Sequence, residues 1–207
     1  MNNSMFDDYF DEMDLSDKEK AEREDLAFWI YLMMLLTFSL IDSMIENESV
    51  DKDYVKKSLK ENYEQLIREH VSENLLDSHI LDYVLMFATN EINVTMKHLD
   101  SAKSDDKIYS YYLSSDRALN IGANEANTIL NYRDYKNAIE NGYTKKQWVS
   151  ENDRHVRNTH RDINGTILDI NEPFVIKDSL LMFPKDTSLG AEPDEIVNCR
   201  CTIKYIK

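Results

Sequence analysis

Apolar residues recur at helical spacing along most of the chain. From Asp51 to about Val71 they return every three or four positions, with Lys and Glu between them, and this period predicts an amphipathic helix. Similar stripes run from about Leu75 to Leu99 and from Ser114 to about Glu140. The chain contains only four Gly and three Pro, so little interrupts these segments. The pattern therefore predicts several long helices.

The most apolar stretch runs from Leu26 to Ile41. It is shorter than the roughly 20 apolar residues that a membrane helix needs. Asp25 and Asp42 flank it, with no Lys or Arg beside them to anchor a cytoplasmic end. We interpret the stretch as a buried helix that also suits a subunit interface, and we expect no membrane partner. Ser16, followed three residues later by Glu19, predicts the start of this helix.

The period changes from helical to alternating after Gly142. Short alternating segments separated by turn residues predict strands, namely Tyr143–Trp148, Thr166–Ile170, Phe174–Ile176, Leu180–Phe183 and Cys201–Ile206. Ser101–Asp106 is polar and is the best candidate for a linker, and Ile108–Leu113 suits either a strand or the start of a helix. The predicted fold class is α+β, with long amino-terminal helices followed by a small mixed, strand-rich carboxy-terminal domain.

Charge limits the classes of function. The chain has 39 acidic and 24 basic residues, which disfavours a non-specific DNA-binding protein because phosphate contacts need clustered Lys and Arg. Two cysteines are too few for a secreted disulfide scaffold. The acidic start also lacks the basic region of a signal peptide. Residues 1–17 predict a disordered tail; the alternative is a short amphipathic element that orders on a partner.

The segment from Trp148 to Cys201 contains most of the chemically distinctive residues. A helix over about Glu151–Asp162 would place Arg157 and His160, three residues apart, on one face. Asp153 would lie on that face four residues before Arg157, either as part of a site or as a solvated ion pair. Cys199 and Cys201 are two apart, so in a strand both thiols would face the same side.

Three alternatives exist for the two cysteines. As thiolates they would bind zinc together with His160, and Asp153, His155 or Asp186 would have to supply the fourth ligand. They would otherwise pack as small buried hydrophobic groups or form a disulfide. A strong zinc signal has two ligand pairs at knuckle spacing, whereas this chain has one cysteine pair. The residues therefore favour buried thiols and no metal.

Taken together, the spacing of these residues resembles a known family. The pattern consists of Trp148, Asp153, Arg157, His160, Gly165, Phe174, Pro184, Asp186, Asn198, Cys199, Arg200 and Cys201. It is similar to the carboxy-terminal domain of the phage Mu F-like minor head proteins, also called the phage head-morphogenesis family. The likeness covers roughly residues 110–205. It implies a Mu F-like domain over 106–207, with a helical lead-in (114–141) and a small β-rich domain (143–207), after a helical region over 18–105.

One departure from the family pattern concerns metal. Many relatives carry Cys-x-x-Cys where this chain has Arg157 and His160, and those relatives offer four cysteines to zinc. This chain keeps only the second cysteine pair and a histidine. The resemblance therefore implies a hydrogen-bonded, metal-free version of the domain.

The resemblance also implies a function. It predicts a non-catalytic phage minor head protein, associated with the capsid or portal, that acts in head morphogenesis or DNA delivery. The expected partners are the portal or other capsid proteins. A homo-oligomer is also compatible with the resemblance. The expected location is the virion and the host bacterial cytoplasm. The residues named above would form the framework of the small domain.

The alternative function is a nuclease-like or toxin-like enzyme. Arg157 would stabilise a phosphate, and His155 or His160 would act as general acid or base. A local basic cluster would contact DNA; it comprises Arg154, His155, Arg157, His160 and Arg161. The competing interpretation of this cluster is an exposed helix face paired with the abundant acids.

Overall fold

The computed structural model describes residues 5–101, 106–151 and 155–207. Long helices precede a small group of strands, which confirms the predicted α+β class. The chain forms two compact units that interleave along the sequence. One comprises residues 1–25 and 123–207, and the other comprises residues 26–122. The domain boundaries predicted near residues 17 and 105 stay predictions.

Helices begin where the sequence supplies capping groups. Ser16 and Glu19 form the predicted capping box, with Ser16 N–H donating to Glu19 Oε2 at 2.9 Å. Asp51 Oδ1 accepts from Tyr54 N–H at 3.0 Å, and Ser114 Oγ accepts from Arg117 N–H at 3.1 Å; both bonds satisfy otherwise orphaned donors. The helices are α1 Asp7–Phe10, α2 Asp17–Glu46, α3 Lys52–His70, a 3₁₀ turn Glu73–Leu75, α4 Ser78–Ser101, α5 Asp106–Tyr112, α6 Ser115–Glu140, α7 Asn158–Asp162 and α8 Pro193–Ile196.

The strands agree with the alternating segments to within two residues at their ends. They are β1 Lys145–Val149, β2 Ile167–Asp169, β3 Phe174–Ile176, β4 Ser179–Leu181 and β5 Thr202–Ile206. β1 lies between β2 and β5 in an antiparallel sheet, and β3 pairs with β4. The segment at Ile108 is helical, in α5, while most of the predicted linker (102–105) lies outside the described residues.

Helix α2 buries one face and exposes the other. The buried positions follow a helical repeat and are Leu26, Ala27, Ile30, Met33, Met34, Thr37, Phe38 and Ile41. On the opposite side Phe28, Trp29 and Leu36 are exposed, Leu36 by 72%. By length and composition α2 could also cross a membrane. Length and composition are weak evidence for a membrane span, because the core helix of a soluble protein satisfies the same requirement.

Gly122 on α6 allows a close approach to α2. A Cβ at this position would lie 2.6 Å from the carbonyl oxygen of Ala27 and 3.2 Å from the backbone nitrogen of Tyr31. Only glycine leaves room for the α2 backbone at this distance. Two helix backbones therefore pack closely at this glycine.

The acidic amino-terminal segment differs from the predicted disordered tail. Residues 7–10 form α1, and Phe6, Phe10 and Met13 are buried. Lys20 forms ion pairs with acids of this segment. Burial of the aromatic residues supplies the free energy that composition alone did not indicate, so this part of the chain belongs to the same compact unit as the strands.

Candidate functional site

The cap, defined here as residues 143–207, contains a small core around Trp148. The buried members of this core are Trp148, Phe174, Ile176, Leu181, Cys199 and Cys201. Trp148 meets Phe174 edge to face at 5.1 Å between ring centroids and His160 at 5.4 Å. The indole Nε1–H donates to Ser150 Oγ at 3.0 Å, so the one polar atom of this ring is satisfied.

His160 and the two cysteines form one buried cluster, called here the thiol–imidazole cluster. His160 Nδ1 lies 3.5 Å from Cys199 Sγ and 3.4 Å from Cys201 Sγ. The three residues are at most 2% exposed, and both cysteines are free thiols rather than a disulfide. The cysteines precede β5 instead of lying in it, yet both side chains reach the same imidazole.

The other ring nitrogen of His160 faces a carboxylate. Nε2 lies 3.1 Å from Glu195 Oε2, which also accepts from Thr159 Oγ at 2.9 Å. Lys177 Nζ lies 2.6 Å from Glu195 Oε1. Burial alone would raise the pKa of Glu195, but the hydrogen bonds from Lys177 and Thr159 lower it below its usual value. Glu195 is therefore ionised and accepts, so Nε2 carries the proton.

The two thiols share their protons unequally. The hydrogen bond from Cys201 lowers the pKa of Cys199; burial opposes this effect, and His160 adds to it. The same hydrogen bond, together with burial, raises the pKa of Cys201. Cys199 is thus the more acidic of the two thiols.

The helix predicted over Glu151–Asp162 is wrong in extent. Helix α7 begins at Asn158, and Arg157 before it has an extended backbone with φ −61° and ψ 145°. Arg157 and His160 therefore do not share a helix face. The Arg157 guanidinium instead donates to the carbonyl oxygen of Val197. Asp153, the predicted partner of Arg157, lies outside the described residues.

Other residues of the predicted framework have structural roles away from the cluster. Asp186 is buried and accepts from the backbone N–H of Met182 and of Ser188, each at 2.9 Å. Arg200 pairs with Glu12 at 2.9 Å. Gly165 has φ +79° at the turn before β2, which glycine adopts without strain.

A row of amides on α6, called here the asparagine stripe, holds the segment that contains both cysteines. Asn127 Nδ2 donates to the carbonyl oxygen of Cys199 at 3.1 Å. Asn131 Nδ2 donates to that of Cys201 at 3.3 Å and to that of Pro184 at the same distance.

Asn124 completes the stripe through a reciprocal contact. Its Nδ2 donates to Asn198 Oδ1 at 2.7 Å, and its Oδ1 accepts from Asn198 N–H at 3.0 Å. Asn198 has φ +55°, a left-handed conformation that asparagine tolerates. Thus Asn198, Cys199 and Cys201 are each bound to α6.

Sequence reasoning missed Glu195 and the asparagine stripe. The stripe had a signal, because Asn124, Asn127 and Asn131 are spaced by three and four residues and so share a helix face. Glu195 had none, since it reaches His160 from a separate short helix 35 residues later.

Among the described residues, one group of three could hold a metal ion: His160, Cys199 and Cys201. These are the residues that the sequence named for zinc. Of the fourth ligands considered there, Asp186 has both carboxylate oxygens in a turn, His155 is exposed, and Asp153 lies outside the described residues.

Comparisons with known proteins find similarity over much of the chain. The model of the family described as Phage Mu protein F like protein matches residues 85–204, more than half of the chain. The chain is also similar to the NAD(+)–arginine ADP-ribosyltransferase EFV of Enterococcus faecalis, with 29% identity over 146 residues. That match covers 66% of this chain and 29% of the relative. No solved structure matches the chain significantly.

Proposed function

Because the chain belongs to the family of Phage Mu protein F like proteins, which is phage head-related, we propose that it is a minor head protein that acts in head morphogenesis or DNA delivery. The observation that carries the proposal is the extent of the match, which includes all of α6 and nearly all of the cap. The resemblance noted in the sequence is thereby confirmed at the level of the family. The specific role is our proposal.

A non-catalytic role fits the chemistry of the thiol–imidazole cluster. His160 is 1% exposed, and its two ring nitrogens face Glu195 and the thiols. A general acid or base must reach the proton that it transfers within hydrogen-bond distance. An imidazole enclosed in this way supports the framework of the cap rather than a reaction on a bound substrate.

The exposed face of α2 supports a partner on the capsid or portal. Phe28, Trp29 and Leu36 present large apolar side chains to solvent. Such a face, contiguous along one helix, is typical of a surface that packs against another protein. We therefore propose a portal or capsid protein as the partner, with a second copy of this chain as the competing occupant.

Co-purification with the portal protein tests the partner. We expect a complex that Leu32→Asp combined with Leu36→Asp abolishes, because two buried charges cost several kcal/mol at an apolar interface. A matched control, Leu81→Asp with Leu85→Asp, changes two exposed leucines on α4 and should leave the complex intact. If the α2 variant still bound the portal protein, the proposal that this face of α2 is the binding surface would be wrong.

The virion is the proposed location, with synthesis in the host cytoplasm. Mass spectrometry of purified particles tests this directly. We expect the chain to remain with the heads after banding in a density gradient. Recovery in the soluble lysate alone would contradict a head protein.

The enzyme alternative is weaker than the head protein. The enterococcal relative is named an ADP-ribosyltransferase, but the chain spans only 29% of that protein, so we do not propose that activity here. To act as the general acid or base of a nuclease, His160 would have to lie at a surface, whereas it is buried. The other candidate, His155, is exposed. If Arg157→Ala and His160→Ala left a folded protein but abolished cleavage of DNA or RNA, the enzyme interpretation would replace ours.

A further inference from the structure

We propose that the thiol–imidazole cluster is a zinc site, with Cys199 Sγ, Cys201 Sγ and His160 Nδ1 as ligands and Glu195 as the residue that orients the imidazole. This goes beyond the proposed head function and does not depend on it. It also reverses the expectation from the sequence that this version of the domain is metal-free.

The distances within the cluster fit a tetrahedral ion. Zinc lies about 2.0–2.1 Å from a histidine nitrogen and about 2.3 Å from a thiolate sulfur. At a tetrahedral angle these bonds place nitrogen and sulfur about 3.5 Å apart. His160 Nδ1 lies 3.5 Å from one sulfur and 3.4 Å from the other. The imidazole nitrogen thus already has the spacing to each sulfur that a shared zinc ion requires, and the three ligand atoms all lie within 4.8 Å of one another.

Glu195 supplies the second feature of a zinc site. Histidine ligands of metals usually donate their other ring N–H to a carboxylate, which fixes the tautomer and the ring orientation. Glu195 Oε2 lies 3.1 Å from Nε2, so Nδ1 is the ring nitrogen that faces the thiols. Lys177 and Thr159 hold the carboxylate in place from its other sides.

The backbone around the two cysteines is held independently of a metal. Asn127 and Asn131 bind the carbonyl oxygens of Cys199 and Cys201. Both thiols are therefore held in position before an ion arrives, which lowers the ordering cost of binding. A thiolate pair with an imidazole is also the ligand set that soft-to-borderline ions such as Zn²⁺ prefer.

The metal content of the untagged, full-length protein tests the proposal. A polyhistidine tag is avoided because it binds zinc itself. Elemental mass spectrometry on protein purified without chelators should find about one zinc per chain. After exchange into Co²⁺, the absorption spectrum should show the thiolate-to-cobalt charge-transfer band that sulfur ligation produces.

Variants assign the ligands. Cys199→Ser, Cys201→Ser and His160→Gln should each lose the metal and the cobalt band, whereas His155→Gln, an exposed histidine of the same segment, should retain both. Glu195→Gln should keep the stoichiometry but bind zinc roughly 10–100-fold more weakly in competition with a chromophoric chelator. Near-ultraviolet circular dichroism reports whether each variant is folded.

Two results would overturn the zinc site. One is folded wild-type protein that is clearly sub-stoichiometric in zinc and shows no charge-transfer band with Co²⁺. The other is a folded Cys199→Ser or Cys201→Ser variant with wild-type metal content. If the cysteine variants do not fold, the cobalt spectrum of the wild-type protein decides alone. Portal binding and metal content are separate measurements, so either proposal can fail without the other.

Discussion

At the scale of single residues, Lys146 shows how strongly burial acts on charge. Its side chain is fully buried in the cap, where Nζ donates to the carbonyl oxygen of Met182 at 2.7 Å. The ammonium lies over the rings of Tyr135 and Phe174, 5.3 and 5.2 Å from their centroids. Burial lowers the pKa of Lys146 to about 8, although Asp186 partly opposes the shift.

This lowered pKa predicts a pH dependence of stability. Between about pH 8 and the usual lysine pKa near 10.4, the unfolded chain binds more protons than the folded one, so the free energy of unfolding rises with pH. We expect Lys146→Met to remove this rise in urea titrations across that window. Lys204→Met, at an exposed lysine of β5, is the control. An unchanged pH profile in Lys146→Met would refute the assignment.

The sequence identified His160, Cys199 and Cys201 as a possible set because their residue types are rare and chemically distinctive. It did not identify Glu195, since one Glu among many acidic residues carries no pattern of its own. Arg157 was expected beside His160 on one helix face, but an extended backbone separates the two. Residue type therefore predicted the ligands better than it predicted their neighbours.

At the scale of elements, the asparagine stripe of α6 binds the segment of the cap that contains both cysteines. Asn127 is fully buried, donates to Cys199 and accepts from Arg23 Nε at 3.2 Å. Its loss would leave a buried carbonyl and a buried guanidinium N–H without their partner. Each unsatisfied buried group costs about 1–3 kcal/mol.

We therefore expect Asn127→Ala to lower the free energy of unfolding by roughly 2–4 kcal/mol. Chemical denaturation monitored by fluorescence measures the loss. Asn137→Ala removes an exposed asparagine from the same helix and should change stability by well under about 1 kcal/mol. Equal losses of unfolding free energy at the two positions would show that the contacts of the asparagine stripe do not cause the destabilisation.

Gly122 gives a test in which two effects have opposite signs. Helix propensity alone predicts that Gly122→Ala stabilises α6 by about 1 kcal/mol. The contact with the α2 backbone at 2.6 Å predicts a net loss of about 1–3 kcal/mol from overpacking. We expect the contact to dominate, with a lower thermal midpoint for Gly122→Ala and a lower one still for Gly122→Val. A raised thermal midpoint for Gly122→Ala would show that α2 shifts enough to accommodate the added methyl group.

At the scale of the whole molecule, the unit that contains the cap is built from both ends of the chain. Residues 1–25 join residues 123–207 in it. Tyr9 donates to Asn124 at 3.2 Å, and Asp14 N–H donates to Glu151 at 2.6 Å. Substitutions that weaken the packing of the first residues should therefore lower the stability of the cap, although the cap lies more than 100 positions later in the chain.

The two tryptophans allow the effect of the first residues on the stability of the cap to be measured. Trp29 lies in the unit of residues 26–122 and Trp148 in the cap, so Trp29→Phe leaves Trp148 as the reporter. In that background we expect Phe10→Ala to destabilise the transition seen by Trp148 by about 3–5 kcal/mol, as for other buried phenylalanines. Met5→Ala, at an exposed apolar position of the same segment, is the control. No shift with Phe10→Ala would mean that residues 5–16 do not stabilise the cap.

By itself, the sequence determined the long helices, the strands and the family of this protein. Helices α3 and α6 and the five strands follow from local period and capping, because each depends on neighbours within a few residues. The family followed from rare residue types at set spacings, which need no coordinates to recognise.

Only the tertiary structure decided what these residues do together. Glu195 and His160 are 35 positions apart, and Asn127 and Cys199 are 72 apart; no local period reports such contacts. The acidic composition of the first residues indicated a tail, yet Phe6 and Phe10 are buried. Burial and hydrogen bonding depend on which distant segments meet, and that meeting is a property of the packed chain rather than of any short stretch of it.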